Sequence, residues 1–91
     1  MITLKDIQEA RTRIQQVVYE TPILQSEQLS KLCGNQLFLK AEHLQKTGSF
    51  KIRGASNMGI YAIENGAQYI TTASSGNHGQ AVAYVANRYG I

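Results

Sequence analysis

The 91-residue sequence is poor in the features that mark several common classes of protein. It contains one cysteine, one proline and no tryptophan. A single cysteine, Cys33, excludes an intrachain disulfide and a multi-cysteine metal site, and its position near a predicted helix end favours a small buried side chain. His43 and His78 have no second residue at metal-ligand spacing, so no metal site is predicted.

Long apolar runs and dense basic clusters are also missing. The N-terminal residues lack the apolar core of a signal peptide, and no apolar run is long enough to cross a bilayer. Nine basic and six acidic residues are interleaved along the chain, whereas nucleic-acid binders concentrate their basic residues with aromatics. We therefore expect a cytoplasmic protein that binds neither nucleic acid nor membrane.

The first third of the chain has the pattern of two helices. Thr3 is placed to cap a first helix with an apolar stripe that extends to Val18. Pro22 disfavours helical geometry in the residue before it, so the helix is expected to end there. Ser26 is placed to cap a short second helix, for which Gly34 is a suitable stop.

The remainder alternates strand and helix patterns. Residues 36–41 form a compact, mainly apolar run that predicts a buried strand, and residues 68–73, rich in β-branched and aromatic residues, predict a second strand. Helices are predicted over residues 50–64 and 80–89, the second stopped by Gly90. This order favours an α/β fold with a partial open parallel sheet and flanking helices.

The organisation expected is one unit with two segments. Residues 1–35 form an N-terminal helical segment, and residues 36–91 form the strand-helix-strand-helix segment. Parallel sheets are normally covered on both faces, so a sheet of two parallel strands is predicted to be the opening portion of a larger fold.

The turn at residues 74–79, Ser-Ser-Gly-Asn-His-Gly, lies between a predicted strand and a predicted helix. Ligands of open α/β sheets bind at such turns, because helix N-termini present unpaired N–H groups to anions. The motif matches neither the phosphate-binding loop of nucleotide hydrolases nor the dinucleotide fingerprint. The turn is either a site for a carboxylate or phosphate, or an ordinary helix cap.

Lys51 is the second residue of chemical interest, since it falls in the first turn of a predicted helix. A cation is electrostatically disfavoured there, and Lys46 and Arg53 lie close to it in sequence. An amine kept unprotonated is a better nucleophile toward carbonyl carbons, as Schiff-base chemistry requires. The alternative is a solvated basic edge with an exposed lysine.

Three motifs together closely resemble the threonine dehydratase and serine racemase group of fold-type-II (tryptophan synthase β-like) pyridoxal-phosphate enzymes. They cover nearly the whole chain in the expected order and spacing. The motifs are Thr-Pro-Ile-Leu-Gln-Ser at 21–26, Gln-Lys-Thr-Gly-Ser-Phe-Lys-Ile-Arg-Gly-Ala at 45–55 and Ser-Ser-Gly-Asn-His-Gly-Gln-Ala at 74–81.

The resemblance implies a role for each matching residue. Lys51 is similar to the lysine that holds pyridoxal 5'-phosphate as a Schiff base, Phe50 to the residue that packs near the cofactor ring, and Asn77 to the partner of its 3′-hydroxyl. Ser75 matches a serine that acts as an acid or base in racemase-like members. The residues expected to hold the substrate carboxylate are Ser74, Ser75, Gly76, Asn77 and His78.

The reaction implied is a β-elimination that converts threonine or serine to a 2-oxo acid and ammonia. Serine racemase and hydroxyaspartate ammonia-lyase are alternatives within the class.

The resemblance also implies an effector-nucleotide contact at Lys46, Thr47 and Gln80. Because family members are several times longer, we expect an N-terminal fragment that is itself inactive and does not retain the cofactor. The protein is expected to be a homo-oligomer that acts on a small amino acid. A non-catalytic, self-associating fragment is the alternative from another class.

Overall fold

The computed structural model describes all 91 residues and is built mainly from helices. None of the helices is both long and apolar enough to span a membrane. The elements in chain order are α1 (Leu4–Ile14), β1 (Ile23–Gln25), α2 (Glu27–Cys33), β2 (Phe38–Lys40), a 3-10 turn (Glu42–Leu44), α3 (Lys51–Glu64) and α4 (Asn77–Tyr89).

The predicted helix caps are confirmed. Thr3 Oγ1 accepts a hydrogen bond from Asp6 N at 3.3 Å, and the Asp6 carboxylate accepts one from Thr3 N at 2.7 Å. This capping box lowers the pKa of Asp6, chiefly through the backbone hydrogen bond. Ser26 Oγ accepts from Leu29 N at 3.2 Å at the start of α2. Gly34 ends α2 at φ +69°, in the left-handed region that favours glycine.

Helix α1 is shorter than its apolar pattern predicts, because the chain leaves the helix after Ile14. Val17 N donates to Ile14 O at 2.8 Å in a tight turn. That turn places Val17 in the core with no exposed surface, although the residue lies outside any helix. The apolar stripe therefore predicted burial correctly and helix length wrongly.

The sheet differs from the prediction, whereas the α/β class is confirmed. Strand β2 pairs in antiparallel orientation with β1, with Ile23 opposite Lys40 and Leu24 opposite Leu39. β1 was not predicted, because three residues are too few to show an alternating pattern. The expected parallel pairing is wrong for this chain, and the predicted strand at 36–41 is reduced to Phe38–Lys40 with all three residues exposed.

Residues 68–73 were predicted to be a strand and have no regular structure. None of their N–H or C=O groups forms a backbone hydrogen bond. A strand requires a neighbouring strand to pair with, and local propensity does not supply one. The two-stranded sheet of β1 and β2 does not extend to this segment.

The hydrophobic core lies between α3 and α4, with α1 packed on α3. Gly59 allows the close approach of the two main helices, because a Cβ there would lie 2.7 Å from Val85 Cγ1. The core cluster consists of Val17, Ile52, Ala55, Ile60, Ala81 and Val85. The N-terminal ends of α3 and α4 are thus held by a shared core.

The remaining surface is larger than expected for the mass. The chain exposes 6853 Å², whereas a folded monomer of 10.0 kDa exposes about 5,200 Å². Its radius of gyration is 15.8 Å, against about 12 Å for a compact domain of this length. Cys33 is exposed, contrary to the prediction. Exposed apolar residues of β1, α2 and β2 are Ile23, Leu24, Leu29, Leu32, Phe38 and Leu39.

Candidate active site

A buried glutamine fixes the start of the loop that leads to Lys51. Gln45 is 5% exposed. Its Oε1 accepts a hydrogen bond from Tyr19 N at 2.9 Å, and its Nε2 donates to Tyr19 O at 2.9 Å. One side chain therefore satisfies both polar backbone groups of Tyr19, which ties the loop to the segment that follows α1.

Glu42 lies at the centre of a polar network beside this loop. Arg53 donates to both carboxylate oxygens, from Nε to Oε1 and from Nη2 to Oε2 at 3.2 Å. Thr21 Oγ1 and Gln45 Nε2 donate to Oε2 at 2.5 and 3.3 Å. The hydrogen bond from Arg53 is the main cause that lowers the pKa of Glu42 to about 2, and burial opposes it. The same hydrogen bond raises the pKa of Arg53.

Lys46 and Thr47 follow on the same loop. Lys46 Nζ lies 5.0 Å from the centroid of the Tyr19 ring and 5.9 Å from that of Tyr84, so its charge faces two aromatic rings. Thr47 Oγ1 is buried and has no hydrogen-bond partner. Gln80 lies one helical turn before Tyr84 on α4, so Lys46 and Gln80 are both near this part of α4.

Lys51 is the first residue of α3 and so lies in the first turn of a helix, as predicted. Its side chain is exposed, and no carboxylate forms an ion pair with it. The Nζ atom lies 5.4 Å from the centroid of the Phe50 ring. The backbone N–H of Lys51 donates to Ser49 Oγ at 3.3 Å. The amine is therefore accessible and stands beside an exposed aromatic ring.

The turn at 74–79 leads directly into α4, which begins at Asn77, three residues earlier than predicted. Gln80 N is the first N–H of the helix to pair with the backbone, donating to Gly76 O at 3.2 Å. A Cβ on Gly79 would lie 3.2 Å from Ser74 O, so a side chain there would crowd the turn. Gly76 N donates to Ser74 Oγ at 3.3 Å, and the N–H groups of Asn77, His78 and Gly79 form no hydrogen bond, as an anion site requires.

The two predicted site elements occupy the N-terminal ends of two helices that pack together. No hydrogen bond or ion pair joins Lys51 to the turn at 74–79. Two surface grooves lie elsewhere, one against α1 and the far half of α3, the other between α1, Lys40 and Arg53. Within this chain, Lys51 and the turn lie on an open surface.

The hydrogen-bond network around Glu42 was not predicted from the sequence. Its members lie in separate segments, and Thr21 is 21 residues from Glu42. No periodicity or motif connects residues that meet only through folding. Arg53 was counted with Lys46 and Lys51 as a basic cluster, but its charge is paired with Glu42.

The fold and these two helix starts agree with one family. Residues 14–91 match the family model described as "Pyridoxal-phosphate dependent enzyme". This match covers most of the chain, and the chain therefore belongs to the pyridoxal-phosphate dependent enzyme family. Homologues in this family use pyridoxal 5'-phosphate.

Individual relatives divide between two activities. Over 85 residues, the chain is 48% identical to a serine racemase of Dictyostelium discoideum, and the match covers 91% of the chain and 26% of the relative. It is 47% identical to an L-threonine ammonia-lyase of Thermotoga maritima, covering 100% of the chain and 23% of the relative. The chain thus spans about a quarter of the length of these curated relatives.

The similar solved structures also include both a serine racemase and a threonine deaminase. The crystal structure of the Dictyostelium discoideum serine racemase has a TM-score of 0.91 at 44% identity, covering 99% of this chain and 30% of that one. The crystal structure of a T.th. threonine deaminase has a TM-score of 0.79 at 42% identity, covering 99% and 32%.

The donor set of this chain fits pyridoxal phosphate chemically. Lys51 supplies an exposed primary amine without a carboxylate partner, which is the group that reacts with an aldehyde. Asn77 supplies an exposed amide, and the start of α4 supplies N–H groups for an anion. Phe50 supplies an aromatic face within 5.4 Å of the amine.

Proposed function

We propose that this chain carries the cofactor lysine and the substrate-carboxylate turn of a pyridoxal-phosphate enzyme that eliminates water and ammonia from threonine or serine. The observation that carries the proposal is the position of Lys51 at the start of α3, on the helix that packs against α4 and its N-terminal turn. The family membership of residues 14–91 supports it. We assign the protein to the cytoplasm, with a small amino acid as substrate.

Each residue of the proposed site has one task. When bound, pyridoxal phosphate withdraws electrons from the α-carbon of an attached amino acid and makes its α-proton acidic. The Lys51 amine binds the cofactor and is the base that accepts this proton at Nζ. Phe50 packs near the cofactor ring, and the Asn77 amide is the hydrogen-bond partner of its ring hydroxyl.

The turn before α4 binds the substrate. Its N–H groups and the positive end of the helix hold the α-carboxylate, which orients the amino acid toward Lys51. Gly79 keeps the turn closed against Ser74 O. The residues of this binding turn are Ser74, Ser75, Gly76, Asn77 and His78.

Serine racemisation is the second candidate function, and the exposed Ser75 favours it. Its hydroxyl stands in the same turn that is proposed to hold the carboxylate, so it is available as a second acid or base in addition to Lys51. Racemisation requires two such groups, whereas elimination requires Lys51 and a departing hydroxyl. Hydroxyaspartate ammonia-lyase activity would use the same residues.

A chimera tests the proposal. Residues 1–91 replace the aligned segment of the Thermotoga maritima L-threonine ammonia-lyase, with which they share 47% identity. We expect the chimera to form 2-oxobutanoate from threonine, and Lys51→Ala to lower the rate at least about 1,000-fold. The control is Lys31→Ala on α2, an exposed lysine outside the site.

The outcomes separate the candidates. Formation of D-serine from L-serine, lost in Ser75→Ala while 2-oxobutanoate formation persists, would favour the racemase. A chimera that is folded and active but insensitive to Lys51→Ala would contradict the proposal. Equal losses in Lys51→Ala and Lys31→Ala would contradict it as well.

The 91-residue chain alone is proposed to be inactive and to associate with copies of itself. Lys51 and the binding turn lie on an open surface, and the chain exposes about 1,600 Å² more than a compact monomer of its mass. We expect the purified chain to lose pyridoxal phosphate on gel filtration and to give no 2-oxobutanoate. Turnover by the chain alone, above that of its Lys51→Ala variant, would contradict this.

An effector nucleotide is proposed at Lys46, Thr47 and Gln80. The buried hydroxyl of Thr47 lacks a partner, and such a group costs free energy unless a ligand or water satisfies it. Titration of the chimera with ATP, followed by heat release, is expected to show binding that Thr47→Val weakens. Unchanged binding in Thr47→Val would contradict the assignment.

A further inference from the structure

The segment around Lys51 is held on both sides by the same polar network. Before it, Gln45 is bonded to the backbone of Tyr19 and to Glu42. After it, Arg53 is bonded to both oxygens of Glu42. Lys51 lies between these two attachments, two residues before Arg53 on the first turn of α3. The chain is therefore attached to the network on both sides of Lys51, the residue that the proposed function requires.

Helix α3 begins without the usual means of fixing its first turn. Its N-cap residue, Phe50, gives no side-chain hydrogen bond, and the first turn receives only the bond from Lys51 N to Ser49 Oγ at 3.3 Å, whereas Thr3 and Ser26 cap α1 and α2. Uncapped helix ends fray. The pair of Glu42 and Arg53 restrains the first turn in place of a cap. The carboxylate of Glu42 also interacts favourably with the positive end of the helix dipole.

The geometry of the Glu42–Arg53 pair is suited to holding the first turn of α3 in one orientation. Arg53 uses two nitrogens of its planar guanidinium against two carboxylate oxygens, which defines orientation as well as distance. The Glu42 side chain is 17% exposed, and Thr21 and Gln45 complete its hydrogen bonds. With its acceptors engaged and no contact to Lys51, Glu42 is not placed to exchange protons at the reacting atoms.

We propose that Glu42 and Arg53 are positioning residues that hold the first turn of α3 so that the Lys51 amine faces its cofactor. The inference rests on the proposed function of Lys51. It predicts that breaking the pair changes the reactivity of one particular amine, in addition to any change in stability.

The test uses the 91-residue chain and pyridoxal phosphate with sodium borohydride. A lysine amine condenses with the aldehyde with loss of water, and borohydride adds hydride to the C=N bond, which fixes even a transient attachment as a secondary amine. Peptide mass spectrometry then gives the labelling rate of Lys51 relative to Lys31, an internal reference on α2. Each variant is labelled at a temperature at which circular dichroism shows it fully folded.

In the wild-type chain we expect Lys51 to be labelled about fivefold faster than Lys31, because the N-terminus of α3 attracts the phosphate of the reagent, whereas Lys31 lies in the last turn of α2. Glu42→Gln and Arg53→Met are expected to bring the ratio close to one. Arg53→Lys keeps the positive charge but cannot bond both carboxylate oxygens in the same way, and it is expected to retain part of the preference for Lys51. Glu9→Gln breaks the exposed pair with Lys5 and is expected to leave the ratio unchanged.

The failures are distinguishable. A wild-type ratio of one would contradict the inference, because the pair would then have no preference to maintain, whereas the proposed role of Lys51 is decided by the chimera. A wild-type preference that survives in folded Glu42→Gln and Arg53→Met would contradict the inference alone, because the loss of a purely stabilising pair lowers the unfolding midpoint without changing the ratio. If Glu42→Gln does not fold, Arg53→Lys decides: an unchanged ratio contradicts the inference and a reduced ratio supports it.

Discussion

Two regions of the chain differ sharply in burial. Helices α3 and α4 contribute seven of the 12 buried residues. The region of β1, α2 and β2 contributes none, although it carries six exposed large apolar side chains. The helix pair is thus packed by its own residues, whereas the strand region presents apolar surface that nothing in one copy covers.

This difference shows how the site is supported. Lys51 and Asn77 begin the two helices of the packed region, so the candidate residues stand on the best-packed part of the chain. The strand region contributes through its edges, where Lys40 Nζ donates to Thr21 O at 2.5 Å and Thr21 donates to Glu42. Core packing fixes the helices, and the polar network fixes the loop between the regions.

The largest effect is expected from a core substitution in the packed region. Ile52 is completely buried beside Lys51, and Ile52→Ala should lower the free energy of unfolding by about 3 kcal/mol. Leu32→Ala, at a residue 77% exposed in the strand region, should change it by less than about 0.5 kcal/mol. Urea unfolding followed by circular dichroism measures both. Similar losses at the two positions would contradict the division into two regions.

Acid should weaken the network between the regions. The pKa of Glu42 falls from 4.5 to about 2 in the folded chain, so its contribution is complete above pH 4.5 and is lost as the pH falls toward 2. Glu42→Gln is expected to cost about 1–3 kcal/mol at pH 7. The stability difference between wild type and Glu42→Gln should shrink across this acidic window. A difference that stays constant from pH 7 to pH 2 would contradict the assignment.

The sequence predicted the packed region better than the strand region, for a physical reason. Helices over 50–64 and 80–89 depend on hydrogen bonds within one segment and on local stops such as Gly90, so local pattern predicts them well. Residues 68–73 have the composition of a strand but no neighbouring strand to pair with. Strand β1 pairs with β2, although its three residues show no alternating pattern in the sequence. Strand formation depends on neighbours that the local pattern does not identify.

The candidate site was predictable for a different reason. Lys51 and the turn at 74–79 belong to contiguous motifs whose order and spacing are visible in the sequence. The support for Lys51 was not predictable, since Thr21, Glu42 and Arg53 meet only in the folded chain. The roles assigned to the motif residues stay predictions until the chimera is tested.

Two glycines on α3 offer a matched test of the packing within the helical region. A Cβ on Gly59 would lie 2.7 Å from Val85 Cγ1, whereas one on Gly54 would meet no atom within 4 Å. Gly59→Ala should cost about 1–2 kcal/mol through overpacking. Gly54→Ala should add up to about 1 kcal/mol, because alanine is the better helix former. Thermal unfolding of both variants gives the signs, and stabilisation by Gly59→Ala would show that α3 and α4 are less closely packed.

The smallest effect on folding is expected in the strand region, where the effect on association should be clear. Leu24 and Leu39 lie opposite each other in the sheet and are 47% and 41% exposed. Leu24→Ser with Leu39→Ser should change the free energy of unfolding of the monomer by less than about 1 kcal/mol. The pair should raise the dissociation constant of the self-associated chain at least about tenfold, since each leucine contributes up to about 2 kcal/mol when buried. Sedimentation equilibrium measures this constant, with Lys5→Ser on the outer face of α1 as the control. A wild-type chain that is monomeric throughout would contradict the idea that a second copy covers the apolar strand region, and the surplus surface would then need a different partner.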